Sequence, residues 1–453
     1  MRRRALLCGL AALSGCAGVL NGDTDRGRET VNPELAGTPE PPPGVAWTAA
    51  VDADRLYPAG DAVVAVRERD DRERHVALST VDGTRRWRVD FEGPHSVRPG
   101  DALVAWSIRD EGAPIVGLDP ATGERRWSVA VSRAPSEVTD DTVVVRRGDP
   151  TRTVAYDRVD GSVRWESRVG EVYLGRTTDP VLTLERTDPG DTVRLRGRTT
   201  ADGTVVWAVS APERVRSTDP VAEAGDRVLL VGDRRFYVVD TAAETLAGRG
   251  TVSPRVATDF GVRLGDAVVF GDGLPGASSQ PPALLARVDL GYLGATTVET
   301  AGESLVPRAR LGDRVAAAVQ TGDGTRTVGV DPAAPSVEWD APGVPLGGVS
   351  ESVAVATRET VRAHAPDGSV RWRADRPTGG RVGALGAFDD ANADGFVYGQ
   401  RVLVVGESGV VSWDATDGEV RTATTAVGAS ETWTLADDTV VVAADDRLSA
   451  VRV

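Results

Sequence analysis

Short β-branched runs, each opened by a charged or polar residue and closed by a turn signal, recur along most of the chain. They begin at Asp61 (Asp-Ala-Val-Val-Ala-Val), Asp101, Asp141 and Pro180, continue at Asp226, Asp266, Asp313 and Glu351, and end at Arg401 and Asp438 (Asp-Thr-Val-Val-Val). That is ten copies, most of them about 40 residues apart, the spacing of a structural repeat. Val-rich runs of this length suit strands. A helical body is excluded because no stretch sustains a 3.6-residue apolar period and Gly or Pro interrupts too often.

A second motif recurs after many of these runs: a glycine with tryptophan four residues later. It occurs as Gly83 and Trp87, Gly123 and Trp127, Gly161 and Trp165, Gly203 and Trp207, and Gly368 and Trp372; Gly418 repeats it with Thr422 in the aromatic slot. Asp119 and Asp157 lie eight residues before their Trp, and Asp331 stands in the same relation to Trp339, so the register persists where the glycine is lost. Asp-Gly and Thr-Gly supply the positive φ of a tight connection between strands. Each repeat is therefore predicted to be a four-stranded antiparallel sheet with its Trp on the outermost strand, large enough to dock between neighbouring sheets. One such sheet cannot bury both faces alone, so the fold class expected is an all-β propeller.

The ends of the chain predict how the ring closes. The last repeat stops at Leu448–Val453, where the others continue into a Trp strand, and the missing strand is available at residues 45–51, which contain Trp47. Pairing the two removes exposed sheet edges and fastens a single closed ring. Ten blades are countable. Eight, with two units absorbed as insertions, or two smaller propellers, are the alternatives, since the repeats near 226–250, 266–297 and 401–424 have degenerate Trp slots.

The amino terminus reads as an address. Arg2, Arg3 and Arg4 precede an apolar run from Ala5 to Leu13, too short for a bilayer span but suited to a signal peptide over 1–15. Leu13-Ser-Gly-Cys16 has the form of a lipobox, with Cys16 as the thiol that accepts diacylglycerol; a chance cysteine ending an ordinary signal is the plainer alternative. Two acyl chains give stable anchoring. Residues 16–44 then form a polar, Pro-rich tether, and 45–453 the repeat body. Both twin-arginine and ordinary export are compatible with this leader. The expected location is the outer face of the cell membrane.

Composition narrows the function. The chain has 453 residues and a formal charge of -15, with 67 Asp+Glu against 52 basic residues that are all arginine. Neutralising phosphates needs a basic face, so nucleic acid is not an expected partner. The acidic excess reads either as an ordinary solvated surface or as adaptation to high salt, where dense carboxylates hold water and their repulsion is screened; with the missing lysine it resembles the composition of halophilic archaeal proteins. Both cysteines, Cys8 and Cys16, lie in the leader, which excludes a disulfide scaffold.

The run from Val116 to Trp127, Val-Gly-Leu-Asp-Pro-Ala-Thr-Gly-Glu-Arg-Arg-Trp, resembles the repeat of the pyrroloquinoline-quinone (PQQ)-type propellers, and the resemblance extends over nearly all of 45–453. That family spans quinoprotein dehydrogenases, assembly scaffolds of the BamB-like lipoprotein type and other surface lipoproteins. The resemblance implies the fold strongly and the activity weakly. A PQQ enzyme of this kind would imply Ca²⁺ held by Glu and Asn, an Asp base and often a cysteine pair; here the body has no cysteine and Asn392 alone for asparagine. PQQ is accordingly disfavoured, and no cofactor is expected.

Other chemistry is sparse. His75, His95 and His364 support no Ser-His-Asp order and are expected at surface or repeat positions. No zinc spacing occurs. Asp390, Asn392, Asp394 and Gly395 match the opening of a calcium loop, but Arg401 stands where the closing acid belongs, so an EF-hand is excluded. A polar turn is the plain reading, with a weak Ca²⁺ site that includes the Phe396 carbonyl as the alternative. The tryptophans at 47, 87, 127, 165, 207, 339 and 372 occupy a constant slot, which points to blade docking rather than sugar stacking. The function expected is a lipid-anchored, extracytoplasmic, non-catalytic platform for an envelope protein or small ligand; the alternative is a PQQ-dependent oxidoreductase.

Overall fold

Each of the ten Val-rich runs becomes the second strand of a four-stranded antiparallel sheet. The computed structural model describes residues 41–453 apart from a set of internal stretches, the longer ones being 108–113, 187–191, 213–220, 252–256, 272–282, 290–294, 377–393 and 425–431. Among the described residues there are ten four-stranded sheets and no helix. Blades 1–9 cover residues 55–92, 95–129, 137–166, 171–212, 221–251, 257–300, 304–342, 344–375 and 394–424, with strands in chain order. Blade 10 takes three strands from 432–452 and its fourth from Trp47–Ala49. The all-β propeller class is therefore the observed one, with one blade for each counted repeat and none absorbed into a neighbour.

The described chain divides into two compact units. One contains blades 1–3 and 10; the other contains blades 4–8 and most of blade 9.

In the first unit the second strand of blade 1, Ala62–Arg69, shows why these runs are continuous rather than alternating. Val63 and Ala65 pack with Leu78, Val441 and Leu448 of the blade 10 side, while Val64 and Val66 pack with Ala77, Trp87, Leu103 and Val116 of the blade 2 side. Successive side chains point to opposite faces, and both faces are covered. Blades 2 and 3 meet through Val104, Ile115, Trp127, Val143 and Tyr156. The amino-terminal strand joins this unit by antiparallel pairing, Trp47 with Ala450, Thr48 with Ser449 and Ala49 with Leu448. The Ala46 N–H also donates to the Ala450 carbonyl at 2.7 Å. Within residues 45–51, Trp47–Ala49 thus forms one sheet with the carboxy-terminal strands.

In the second unit, blades 4 and 5 share a core of Leu182, Leu195, Trp207, Val228, Leu230 and Tyr237, and blades 8 and 9 one built on Ala354, Trp372, Val404 and Trp413. Among the described residues, seven blades carry the same register shift between their third and fourth strands, a bulge beside the aromatic slot. Such a bulge twists the outer strand and blunts its edge.

Candidate functional site

The glycine and tryptophan of each motif, four residues apart in sequence, do not serve each other. Each turn glycine lies under the indole of the preceding repeat: Gly83 under Trp47, Gly123 under Trp87, Gly161 under Trp127, Gly368 under Trp339 and Gly418 under Trp372. All five have φ between +70° and +83°, and a β-carbon would stand within 2.7 Å of the ring. The indole N–H then donates to a carbonyl of that same turn. Trp47 reaches Thr80 at 2.8 Å, Trp87 reaches Pro120 at 2.7 Å, Trp127 reaches Arg158 at 2.8 Å, Trp339 reaches Pro366 at 3.0 Å and Trp372 reaches Ala415 at 2.8 Å. Within its own sheet each ring needs a small residue opposite, and Ala77, Gly117, Ala155, Gly197, Gly329 and Ala363 pair with Trp87, Trp127, Trp165, Trp207, Trp339 and Trp372.

Among the described residues of the first unit, buried ionisable groups converge at the start of blades 1 and 2. Arg55 opens the first strand of blade 1 (Arg55–Ala59), Glu73 and His75 alternate onto one face of its third strand (Arg72–Ser79), and His95 opens blade 2. The Glu73 carboxylate is completely buried. One oxygen pairs with the Arg55 guanidinium; the other lies 3.1 Å from His75 Nε2 and accepts the His95 backbone N–H at 2.9 Å. Phe91 sits between the two imidazoles, with ring centroids 4.7 and 4.6 Å away. Burial alone would push the Glu73 carboxyl up. The hydrogen bond from His75, the Arg55 charge and the His95 N–H more than offset it and hold the group below the usual carboxylate range. Both oxygens are occupied, so the cluster ties three strands of two blades together and keeps its ion pair charged.

The second unit has a counterpart in blade 4. Glu171, also completely buried, accepts from Arg198 at 2.6 and 2.8 Å, from Arg196 at 3.0 Å and from the Thr183 hydroxyl, while the other arm of Arg196 reaches Glu185. Burial opposes ionisation here too, and the Arg198 and Thr183 bonds prevail. A third buried charge, Arg158, is solvated by backbone instead: it donates to the carbonyls of Ala102 at 2.9 Å, Arg98 at 2.7 Å and Thr139. Burial lowers its pKa.

These clusters were not visible in the sequence, and the histidines are a correction. His75, His95 and His364 are 1%, 5% and 4% exposed, not on the surface. His364 stacks on Trp339 with centroids 5.3 Å apart and planes within 7°, and its Nδ1 lies 3.0 Å from the Gly368 carbonyl. The only local signal was the Glu73-x-His75 alternation, which puts both side chains on one face of a strand; Arg55 and His95 lie about 20 residues away on either side.

Of the residues singled out in the sequence, Trp47, Trp87, Trp127, Trp165, Trp207 and Trp372 are buried and Trp339 is partly buried. Cys16, Asp390 and Asn392 lie outside the described residues. Asp394 and Phe396 belong to the first strand of blade 9, Asp394–Tyr398, whose side chains are not described. Among the described residues no group of three or more His, Cys, Asp or Glu is arranged to hold a metal ion.

Residues 40–172, 111–269 and 287–453 match the family described as outer membrane protein assembly factor BamB. The chain belongs to that family. No curated protein matches it significantly. Solved structures similar to this BamB-family chain include BamB from Moraxella catarrhalis, 14% identical, covering 90% of this chain and 98% of that one with a TM-score of 0.36. A europium-containing methanol dehydrogenase is 13% identical over 82% and 85% of the two chains, TM-score 0.37. A eukaryotic initiation factor is 10% identical over 73% and 88%, TM-score 0.42. At these scores the likenesses carry no functional weight.

Proposed function

We propose that this BamB-family chain is a lipid-anchored, extracytoplasmic propeller that serves as a non-catalytic interaction platform at the cell envelope. The observation that carries the reading is the family match along almost the whole repeat body, to a family described by an assembly role rather than by a reaction. The use of the buried charges supports it. Glu73 and Glu171 spend every carboxylate oxygen on donors of their own unit, which serves rigidity rather than proton transfer. The leader supplies the anchor, through Cys16, and the Pro-rich segment that follows supplies a spacer holding the body off the membrane.

Crosslinking in intact membranes followed by mass spectrometry tests this. The expected result is a diacylglyceryl Cys16 as the mature first residue and recovery of the chain linked to an envelope protein. Oxidation of alcohols or sugars after reconstitution with the quinone and Ca²⁺ would overturn the non-catalytic reading. An unmodified mature terminus would overturn the anchor.

A further inference from the structure

The outermost strand of blade 4, Val205–Pro212, shares the outer-strand bulge of its neighbours but lacks the edge charge that most other blades carry. An outermost strand has an unpaired edge, and proteins blunt such edges with charge. Here the residues on either side of the aromatic slot carry that charge: Arg86 and Arg88 flank Trp87, Arg164 and Glu166 flank Trp165, Glu338 and Asp340 flank Trp339, and Arg371 and Arg373 flank Trp372. Arg126 precedes Trp127 and Arg421 precedes Thr422. The outer strands of blades 5 and 6 contain Arg249 and Glu299. In blade 4 the flanking residues are Val206 and Ala208, and the eight-residue strand has no charged side chain at all. Among the described residues the only other uncharged outer strand is Trp47–Ala49, three residues long.

The apolar side chains of this strand are presented, not buried. Val206 is 50% exposed, Val205 is 41% exposed and Ser210 is exposed, while Trp207, Val209 and Ala211 face the core. The strand pairs with Thr192–Arg198 everywhere but at the bulged Val206, and it ends its sheet. From Trp207 to Pro212, beyond the bulge, alternate residues therefore aim N–H and C=O groups outward with no strand of the sheet to receive them.

We propose that this edge is a self-association surface, on which a second copy of the chain adds the same strand antiparallel. Charge selects that occupant. Like charges directly opposite one another destabilise paired strands, and a two-fold contact sets each strand against its own copy. Two copies of Val205–Pro212 meet without any such pair, whereas two copies of the outer strand of blade 1, 7 or 8, set antiparallel about the aromatic slot, would bring Arg86 onto Arg88, Glu338 onto Asp340 or Arg371 onto Arg373. The contact is uncharged within a molecule of net charge -15. Salt screens the general repulsion between copies and leaves the apolar contact intact, so association strengthens as salt rises.

Sedimentation of the full-length, lipidated protein in neutral detergent, across protein and KCl concentration, tests this. The expected result is a monomer–dimer equilibrium whose dimer fraction rises at least severalfold between low and molar salt. Val206→Arg restores the charge that other blades carry at this position and is expected to give monomer under all conditions, with unchanged circular dichroism and melting. Ser210→Lys gives a second, independent disruption should the first variant fail to fold. A wild-type monomer throughout, a dimer that weakens with salt, or a dimer that survives both substitutions would each overturn the proposal. So would capture of the edge by a different envelope protein with the chain itself monomeric.

Discussion

The indole of Trp87 lies on the backbone of Gly123, where φ is +70° and a β-carbon would stand 2.7 Å from the ring. The two residues belong to successive repeats, so the glycine reports on the aromatic slot of the repeat before its own. Gly60 provides the comparison: its φ is +59°, yet nothing lies within 4 Å of the β-carbon position. Gly60→Ala is expected to cost only the left-handed backbone, about 1–2 kcal/mol. Gly123→Ala carries that cost and about 1–3 kcal/mol more for displacing the ring. Urea denaturation of the two variants checks the difference; equal losses would deny the indole contact.

The ion pair at the outer strand of blade 7 has the opposite polarity to that of blade 1, with its strand-start member one residue further along. Arg86 binds Asp61 with both guanidinium arms at 2.6 Å, whereas in blade 7 Glu338 occupies the place before the Trp and Arg314 the strand start. Exposed pairs contribute modestly, but the reversal makes a clean test. Arg314→Glu and Glu338→Arg are each expected to lower the denaturation midpoint by placing like charges together, and the double variant is expected to recover most of the loss. Additive losses in the double variant would show that the pairing has no energetic role.

Acid stability should fall in two stages. His364 is held neutral chiefly by burial, helped by the nearby Arg362 charge, against a raising influence from the Gly368 carbonyl. Its folded pKa lies below the unfolded value of about 6.5. Its contribution is therefore complete above that pH and is lost as pH falls towards the folded value. Glu73, also depressed, contributes fully above its unfolded pKa of about 4.3 and loses that contribution at lower pH. Unfolding free energies measured from pH 8 to pH 3 should show a loss below about pH 6.5 that His364→Gln removes. A second loss, below about pH 4.3, should be absent in Glu73→Gln. A wild-type profile that both variants reproduce would remove this assignment.

Glu73→Gln should also be costly at neutral pH, because it strips a buried charge of its partner. The loss expected is about 3 kcal/mol, at the lower end for a broken buried pair because Arg55 stays one-third exposed. Chemical denaturation at pH 7 measures it. A change below about 1 kcal/mol, the scale of a surface pair, would mean that the cluster is not structural.

The repeats were legible because a sheet covered on both faces, as blade 1 is, writes its second strand as an unbroken Val-rich run, from Ala62–Arg69 to Thr439–Ala444. The degenerate aromatic slots were harder, and blade 5 shows why. There the turn position of the motif is held by Glu244, at φ +51°, and the aromatic slot by Gly248, which pairs with Val238 beside the bulge, so neither member of the Gly-to-Trp spacing remains. The Glu73 cluster was illegible for another reason. Arg55, Glu73 and His95 are brought together by blade geometry alone, and no local spacing encodes that meeting. The edge of Val205–Pro212 could be noticed only once the outer strands were aligned by position within their sheets.

The pairing of the first strand with the last blade is the claim on which the account rests, and a cross-strand disulfide tests it most directly. The body contains no cysteine, and Thr48 faces Ser449. Under oxidising conditions the Thr48→Cys/Ser449→Cys variant should yield a single linked peptide pair by mass spectrometry and a raised denaturation midpoint, while Thr48→Cys/Val451→Cys, out of register, should not. Failure of the in-register pair to link, or equal linking of both, would contradict the fold as described.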